Sequence, residues 1–162
     1  MQEIITLYLD TPLTPLWIAA GADGTLHHCS FRPLYDLPAP SSSPPPAVDR
    51  IADQLLEYVF IGRTHFTIPC SLKGTAFQLS VWHQTQLIPY GETRTYRELA
   101  AQTGNPKAWR AVGSALKHNP LLIVVPCHRV IPASGGVGGF AGGSKLKKTL
   151  LEHELQGLSQ MP

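Results

Sequence analysis

The eleven residues Leu121-Leu122-Ile123-Val124-Val125-Pro126-Cys127-His128-Arg129-Val130-Ile131 constrain the rest of this chain more than any other stretch. Five consecutive aliphatic side chains predict a strand buried on both faces. Pro126 has no N–H to give a ladder, so pairing should stop where the cysteine begins. A thiol is thereby delivered at the end of a rigid, buried element. Cys127 supplies a nucleophilic sulfur, His128 a base beside it, and Arg129 a positive charge that favours thiolate. Adjacent residues of an extended chain point to opposite sides, so the pair needs a turn or a bridging water to work together. A buried cysteine that merely fills a core has the same local signature.

With 162 residues the chain can build one sizeable core or two small ones. No apolar run approaches the roughly 18 residues that span a bilayer, and Met1-Gln2-Glu3 lacks the character of a secretory leader. The expectation is a soluble globular protein in a cytosolic or nuclear setting. Cys29, Cys70 and Cys127 are odd in number and form no CxxC pair, against both a disulfide framework and a cysteine-rich zinc module. A reduced, reactive thiol suits that compartment. The net charge of +2 hides an asymmetry. Residues 1–90 carry four cations and seven acids (4 − 7 = −3), whereas residues 91–162 carry nine cations and four acids (9 − 4 = +5). The basic half holds Cys127 and suggests an anionic partner such as nucleic acid, although a solvated surface has the same composition.

Ile4–Leu9, Leu16–Ala20 and Thr25–Phe31 read as short strands separated by turn residues, an antiparallel meander. Residues 32–46, ending in three serines and three prolines, read as an exposed connection. Val48, Ile51, Leu55 and Tyr58 recur at helical spacing, and a further strand is expected over His65–Ile68. His27, His28 and Cys29 would alternate faces on a strand, which favours a half-buried histidine pair over a metal site.

From residue 75 the character changes. Thr75-Ala76-Phe77-Gln78 and Thr95-Tyr96-Arg97-Glu98 are capping boxes, the first opening a helix to about Leu87 and the second a short helix that meets Gly104. Asn105 can cap a third helix with Pro106 at its first position, which gives a helix-turn-helix pattern. On that third helix Ala108, Trp109, Val112, Ala115 and Leu116 share one side, while Lys107, Arg110, Ala111, Gly113, Ser114 and Lys117 make an outer face that is cationic and otherwise small. Such a face fits a nucleic-acid groove, with Arg110 reaching inward, or is simply solvated. Residues 134–143 are too rich in glycine for a helix or strand and lack a phosphate-loop pattern. Their backbone can lie against a flat ligand, or the loop is merely flexible. On a last helix, about Lys145–Leu155, Glu154 falls inside the apolar arc. A carboxylate facing a core needs a partner, and the histidine beside Cys127 is one; a rim position reaching solvent is the alternative.

Taken together these residues resemble the O6-alkylguanine-DNA alkyltransferase family, which moves the alkyl group of damaged guanine to its own cysteine. The matching pieces are Phe77-Gln78 with Val81-Trp82, Ile88-Pro89-Tyr90-Gly91-Glu92, Thr95-Tyr96, Arg110-Ala111-Val112-Gly113, Asn119-Pro120, Pro126-Cys127-His128-Arg129-Val130-Ile131, Gly138 with Phe140-Ala141-Gly142-Gly143, and Leu150-Leu151 followed by Glu154. The resemblance covers residues 75–157 well and the first 74 loosely. It implies an α/β (α+β) protein: a small ribonuclease-H-like sheet domain with a helix over 1–74, then a helical domain over 75–162 with a winged helix-turn-helix and the active-site cysteine. It also implies that Cys127 accepts the alkyl group, that His128 acts as base through water, that Glu154 orients the histidine, and that Asn119 braces the turn. Tyr96 donates to guanine N3 as the guanine leaves. Arg110 enters the duplex where the damaged base is flipped out; Ala111, Gly113, Ser114, Thr95 and Arg129 complete the minor-groove contact; Tyr96, Val137, Phe140, Ala141 and Gly142 hold the base. No cofactor and no metal is implied, and the partner is double-stranded DNA containing O6-alkylguanine, bound by a monomer, with cooperative binding left open. Trp109 departs from the small residue usual before the arginine, and Ala141 from the serine of some relatives. The N-terminal zinc ligands of some members are not matched.

Two other functions fit parts of the pattern. A cysteine hydrolase would use Cys127 and His128 on small acyl substrates and would leave the helix-turn-helix incidental. A damage-recognition module that only binds DNA would have no need of Cys127, His128 and Glu154 together.

Overall fold

A computed structural model describes residues 3–162; Met1 and Gln2, part of the leader reading, lie outside the described residues. The chain forms two compact units, one running to Leu72 and taking in Pro120–Leu122, the other made of Lys73–Asn119 and Ile123–Pro162. That excursion is absent from a simple division at 74/75. No helix among the described residues is long and apolar enough to cross a membrane.

In the first unit β1 (Ile4–Leu9), β2 (Leu16–Gly21) and β3 (Leu26–Ser30) form the expected antiparallel meander, in the order β1-β2-β3. Helix α1 (Pro46–Ile61) buries Val48, Ile51, Leu55 and Tyr58, the face that helical spacing predicts. Pro46, read as the end of the connection, is instead helical, because a missing N–H is harmless in the first turn. The irregular residues before it are tied to β1 by the Thr6 hydroxyl, which donates to the Pro38 carbonyl, and by Ser41 N–H, which donates to the Thr6 carbonyl.

Two expected strands are absent. His65–Ile68 makes no ladder, since Thr67 N–H donates to the Gln54 side chain and Pro69 has no N–H to give. Only Cys70 bridges, parallel to Leu26. Leu121–Val125 is buried throughout, as read, but is not a strand. Leu121 makes one bridge to Cys29, and then Ile123 turns the chain with φ +71°, a left-handed conformation that is strained for a β-branched residue. The Val125 carbonyl, which a ladder would use, accepts from the Asn119 side-chain amide at 2.8 Å and so closes a loop.

The second unit holds α2 (Ala76–Gln86), β4 (Arg94–Thr95), α3 (Tyr96–Gln102), α4 (Trp109–Lys117), β5 (Val130–Ile131) and α5 (Ser144–Ser159). Both capping boxes form, the side chains of Thr75 and Thr95 accepting from the backbone of Gln78 and Glu98. Asn105 caps Lys107 N–H as read, but Pro106–Ala108 makes a separate 3-10 turn and α4 starts only at Trp109. The Trp82 indole, 1 % exposed, donates to the Ala115 carbonyl at 2.9 Å and locks α2 to α4. β4 and β5 pair in parallel, which brings Arg94-Thr95 beside Val130-Ile131.

Candidate active site

Cys127–Arg129 form a 3-10 turn, in place of an extended run that would set Cys127 and His128 on opposite sides. Successive side chains then diverge by about 120°, and each finds a different partner. The Cys127 sulfur accepts from Asn119 Nδ2 at 3.2 Å, the same amide that holds Val125. His128 Nε2 lies 2.6 Å from Glu154 Oε1, and the Arg129 guanidinium donates to both Glu154 oxygens and to the Ile88 carbonyl. Glu154 also accepts from Gly91 N–H at 2.9 Å. Residue 91 has φ +77°, and a Cβ there would lie 2.1 Å from Leu158, so both the backbone and the space require glycine.

The charges follow from this wiring. Burial works against ionisation of Glu154, but the hydrogen bond from His128 and the hydrogen bonds and charge of Arg129 overcome it and hold the carboxyl down to about 2. An ionised carboxylate only accepts, so His128 Nε2 carries the hydrogen and Nδ1 is left as a basic nitrogen; it is buried with no hydrogen-bond partner. Burial, with the charges of Arg129 and Lys147, lowers the His128 pKa against the pull of Glu154, so the ring is neutral at ordinary pH. Burial pushes the Cys127 thiol up, while the Asn119 amide and the charge of Lys147 pull against it.

Two corrections concern cations. Arg129, expected both to favour thiolate and to touch DNA, is 5 % exposed and neutralises Glu154. The cation that bears on the thiol is Lys147, absent from the sequence reading. Its side chain is wholly buried, it donates to the Val130 and Gly139 carbonyls, and burial pulls its pKa down to about 8. Its signal lay in the helical phase of α5, where Lys147, Leu150 and Glu154 share the buried face.

In front of the sulfur opens a cleft of about 410 Å³, within the range of small-ligand sites. Tyr96, half-buried, lines one side with Gly113 and Ser114 of α4; Gly138, Phe140 and Ala141 of the glycine-rich loop line another. Gly138 has φ +75°, and a Cβ there would meet Pro132 at 2.9 Å and the Tyr96 hydroxyl at 3.4 Å. Of the residues read as a base pocket, Tyr96, Phe140 and Ala141 line this cleft, whereas Val137 and Gly142 do not, although both are half-buried in the same loop. Arg110 and Ala111 are exposed on α4, and Arg110 borders the cleft. The Thr95 hydroxyl is engaged as a helix cap. From residue 99 to residue 151 the chain has seven cations and no acid.

A buried thiol braced by an amide, with a neutral imidazole and carboxylate beside it and a basic, open cleft before it, defines a protein that uses one cysteine as a nucleophile on a ligand entering the cleft. Comparison with known proteins narrows this class. The sequence profile of the 6-O-methylguanine DNA methyltransferase DNA-binding domain matches residues 76–156, and the chain belongs to that family. The methylated-DNA–protein-cysteine methyltransferase of Mycobacterium tuberculosis is 43 % identical over 147 residues, 90 % of this chain and 89 % of the relative. That of Methanosarcina acetivorans is 41 % identical over 147 residues, 90 % and 94 % of the two chains. The crystal structure of M. tuberculosis O6-methylguanine methyltransferase superposes with a TM-score of 0.85 at 41 % identity, covering 99 % of this chain and 96 % of that one. The M. tuberculosis protein in complex with DNA gives 0.79 at 42 % identity over 94 % and 93 %.

Proposed function

We propose that this chain repairs DNA by moving the alkyl group of O6-alkylguanine to Cys127 in a single, stoichiometric event. The observation that carries the reading is the Asn119–Cys127 hydrogen bond, with the Glu154–His128 pair one residue further along the same turn. The damaged nucleotide rotates out of the duplex into the cleft while α4 lies along the minor groove and Arg110 occupies the space left behind, flanked by Ala111, Gly113 and Ser114. Tyr96, the Phe140 ring and the backbone about Val137, Ala141 and Gly142 hold the base.

His128 Nδ1 takes the thiol proton through one water, and Glu154 stabilises the imidazolium that forms. The thiolate attacks the alkyl carbon in line with its bond to O6. As the S–C bond forms, the C–O6 bond breaks and its electron pair leaves on guanine. Tyr96 donates its hydroxyl proton to N3 and recovers one from the imidazolium by way of solvent, so a neutral guanine and a thioether result. The thioether is not reversed, and each molecule acts once.

The sheet with α1 supports a ribonuclease-H-like reading of the first unit. The α3–α4 pair beside the β4–β5 ribbon supports a winged helix-turn-helix in the second. Three free cysteines among the described residues support action in a reducing compartment, the cytoplasm, on nucleoid DNA. The protein acts as a monomer.

The test is intact and peptide mass after mixing with a duplex containing one O6-methylguanine. One methyl on Cys127, saturating at one per molecule and absent in Cys127→Ser, is expected, with damaged-DNA binding retained by the variant. Transfer by Cys127→Ser would sink the assignment. Absence of any adduct on folded, reduced protein would shift the reading to damage binding, or to hydrolysis if small esters turn over.

A further inference from the structure

Trp109 is the first residue of α4 and is 37 % exposed. The guanidinium carbon of Arg110 lies over its ring, 4.8 Å from the centroid, and both residues border the cleft that contains Cys127. Arg110 has no carboxylate partner among the described residues, and no acid occurs in sequence from 99 to 151. An unpaired arginine on a helix surface samples many rotamers. Stacked on an indole it samples few, so much of the ordering that DNA would otherwise impose is already done. The pair also makes a flat, cationic surface wider than either group alone. Exposed planar rings beside a positive charge suit nucleobase faces, because every base has a π-face and every base pair brings phosphates.

We propose that Trp109 and Arg110 open the duplex as one stacked unit. The indole holds Arg110 at the rim and itself stacks against a base beside the extruded nucleotide, so that Trp109 sets the preference for duplex over free base. This rests on the alkyl-transfer reading above. A small side chain at residue 109 would leave Arg110 to enter alone.

The experiment compares single-turnover rates of the full chain on a duplex containing one O6-methylguanine and on free O6-benzylguanine. Trp109→Leu is expected to lower the duplex-to-free ratio about tenfold, and Trp109→Phe, which keeps a stacking face, to recover most of it. Trp109→Gln gives the same ratio test if the leucine variant does not fold. As a second readout, indole emission should be quenched on mixing with the duplex, and the quench should vanish in Trp109→Phe, where Trp17 and Trp82 remain. A ratio within about twofold of wild type in Trp109→Leu, or an equal quench in Trp109→Phe, overturns the role of Trp109. Wild-type protein that transfers nothing to Cys127 from either substrate overturns the alkyl-transfer reading instead.

Discussion

Nε2 of His128 lies 2.6 Å from Oε1 of Glu154, with neither side chain exposed, and the same carboxylate holds the Arg129 guanidinium. This pairing joins the nucleophile's turn to α5 and fixes the imidazole tautomer.

The Glu154 carboxyl is held down to about 2 in the folded chain against an ordinary 4.5. A depressed carboxyl contributes stability that is complete above the unfolded value and is lost as pH falls through the folded one. On the order of 3 kcal/mol should therefore disappear between about pH 5 and pH 2. Glu154→Gln leaves Arg129 buried without its counter-charge and should cost about 3–5 kcal/mol at pH 7 while flattening that acid slope. Urea unfolding at pH 7, 5 and 3 measures both; parallel slopes for variant and wild type would contradict the account.

Because burial lowers the His128 pKa below 6.5, the acid limb of the transfer rate should lie below that pH. Single-turnover rates across pH measure it, and a limb above 6.5 would mean a charged resting imidazole.

Asn119 Nδ2 serves both the Cys127 sulfur and the Val125 carbonyl. Asn119→Ala should destabilise by about 1–3 kcal/mol through the orphaned carbonyl and raise the thiol pKa further. Peptide-resolved iodoacetamide labelling against pH reads Cys127 apart from Cys29 and Cys70. An unshifted Cys127 profile would show that the amide does nothing for the thiolate.

Tyr96→Phe keeps the ring beside Gly113 and removes the hydroxyl that Gly138 approaches. Transfer should slow about 100-fold with little change in DNA affinity. An unchanged single-turnover rate would count against proton donation.

Lys147→Met removes the cation that pulls the Cys127 thiol down, so iodoacetamide labelling should need higher pH. The folded Lys147 value of about 8 lies below the ordinary 10.5, so between these values the unfolded chain binds more protons and wild-type stability gains with rising pH. The variant should lack that gain. Denaturant midpoints at pH 8 and pH 10 compare the two, and identical trends would mean Lys147 is not the titrating group.

What the sequence made legible was local or periodic. Both capping boxes depend on residues three apart, and Glu154 betrayed itself through a helical phase that needs no tertiary knowledge. Leu121–Val125 misled because an aliphatic run reports burial and is silent on where the backbone hydrogen bonds go. Here a side-chain amide from residue 119 takes a carbonyl that a strand would share. Arg129 misled because proximity in sequence to a cysteine says nothing about a carboxylate 25 positions later. Lys147 shares the phase that exposed Glu154, yet lysine is so seldom buried that the pattern went unread.

Pro120–Leu122 group with the first unit, and Leu121 pairs with Cys29 six residues before the nucleophile at position 127. The leading edge of the reactive loop therefore answers to the strand that carries Cys29. Exchanging the first seventy-two residues for an unrelated sheet would leave that edge without its backbone partner.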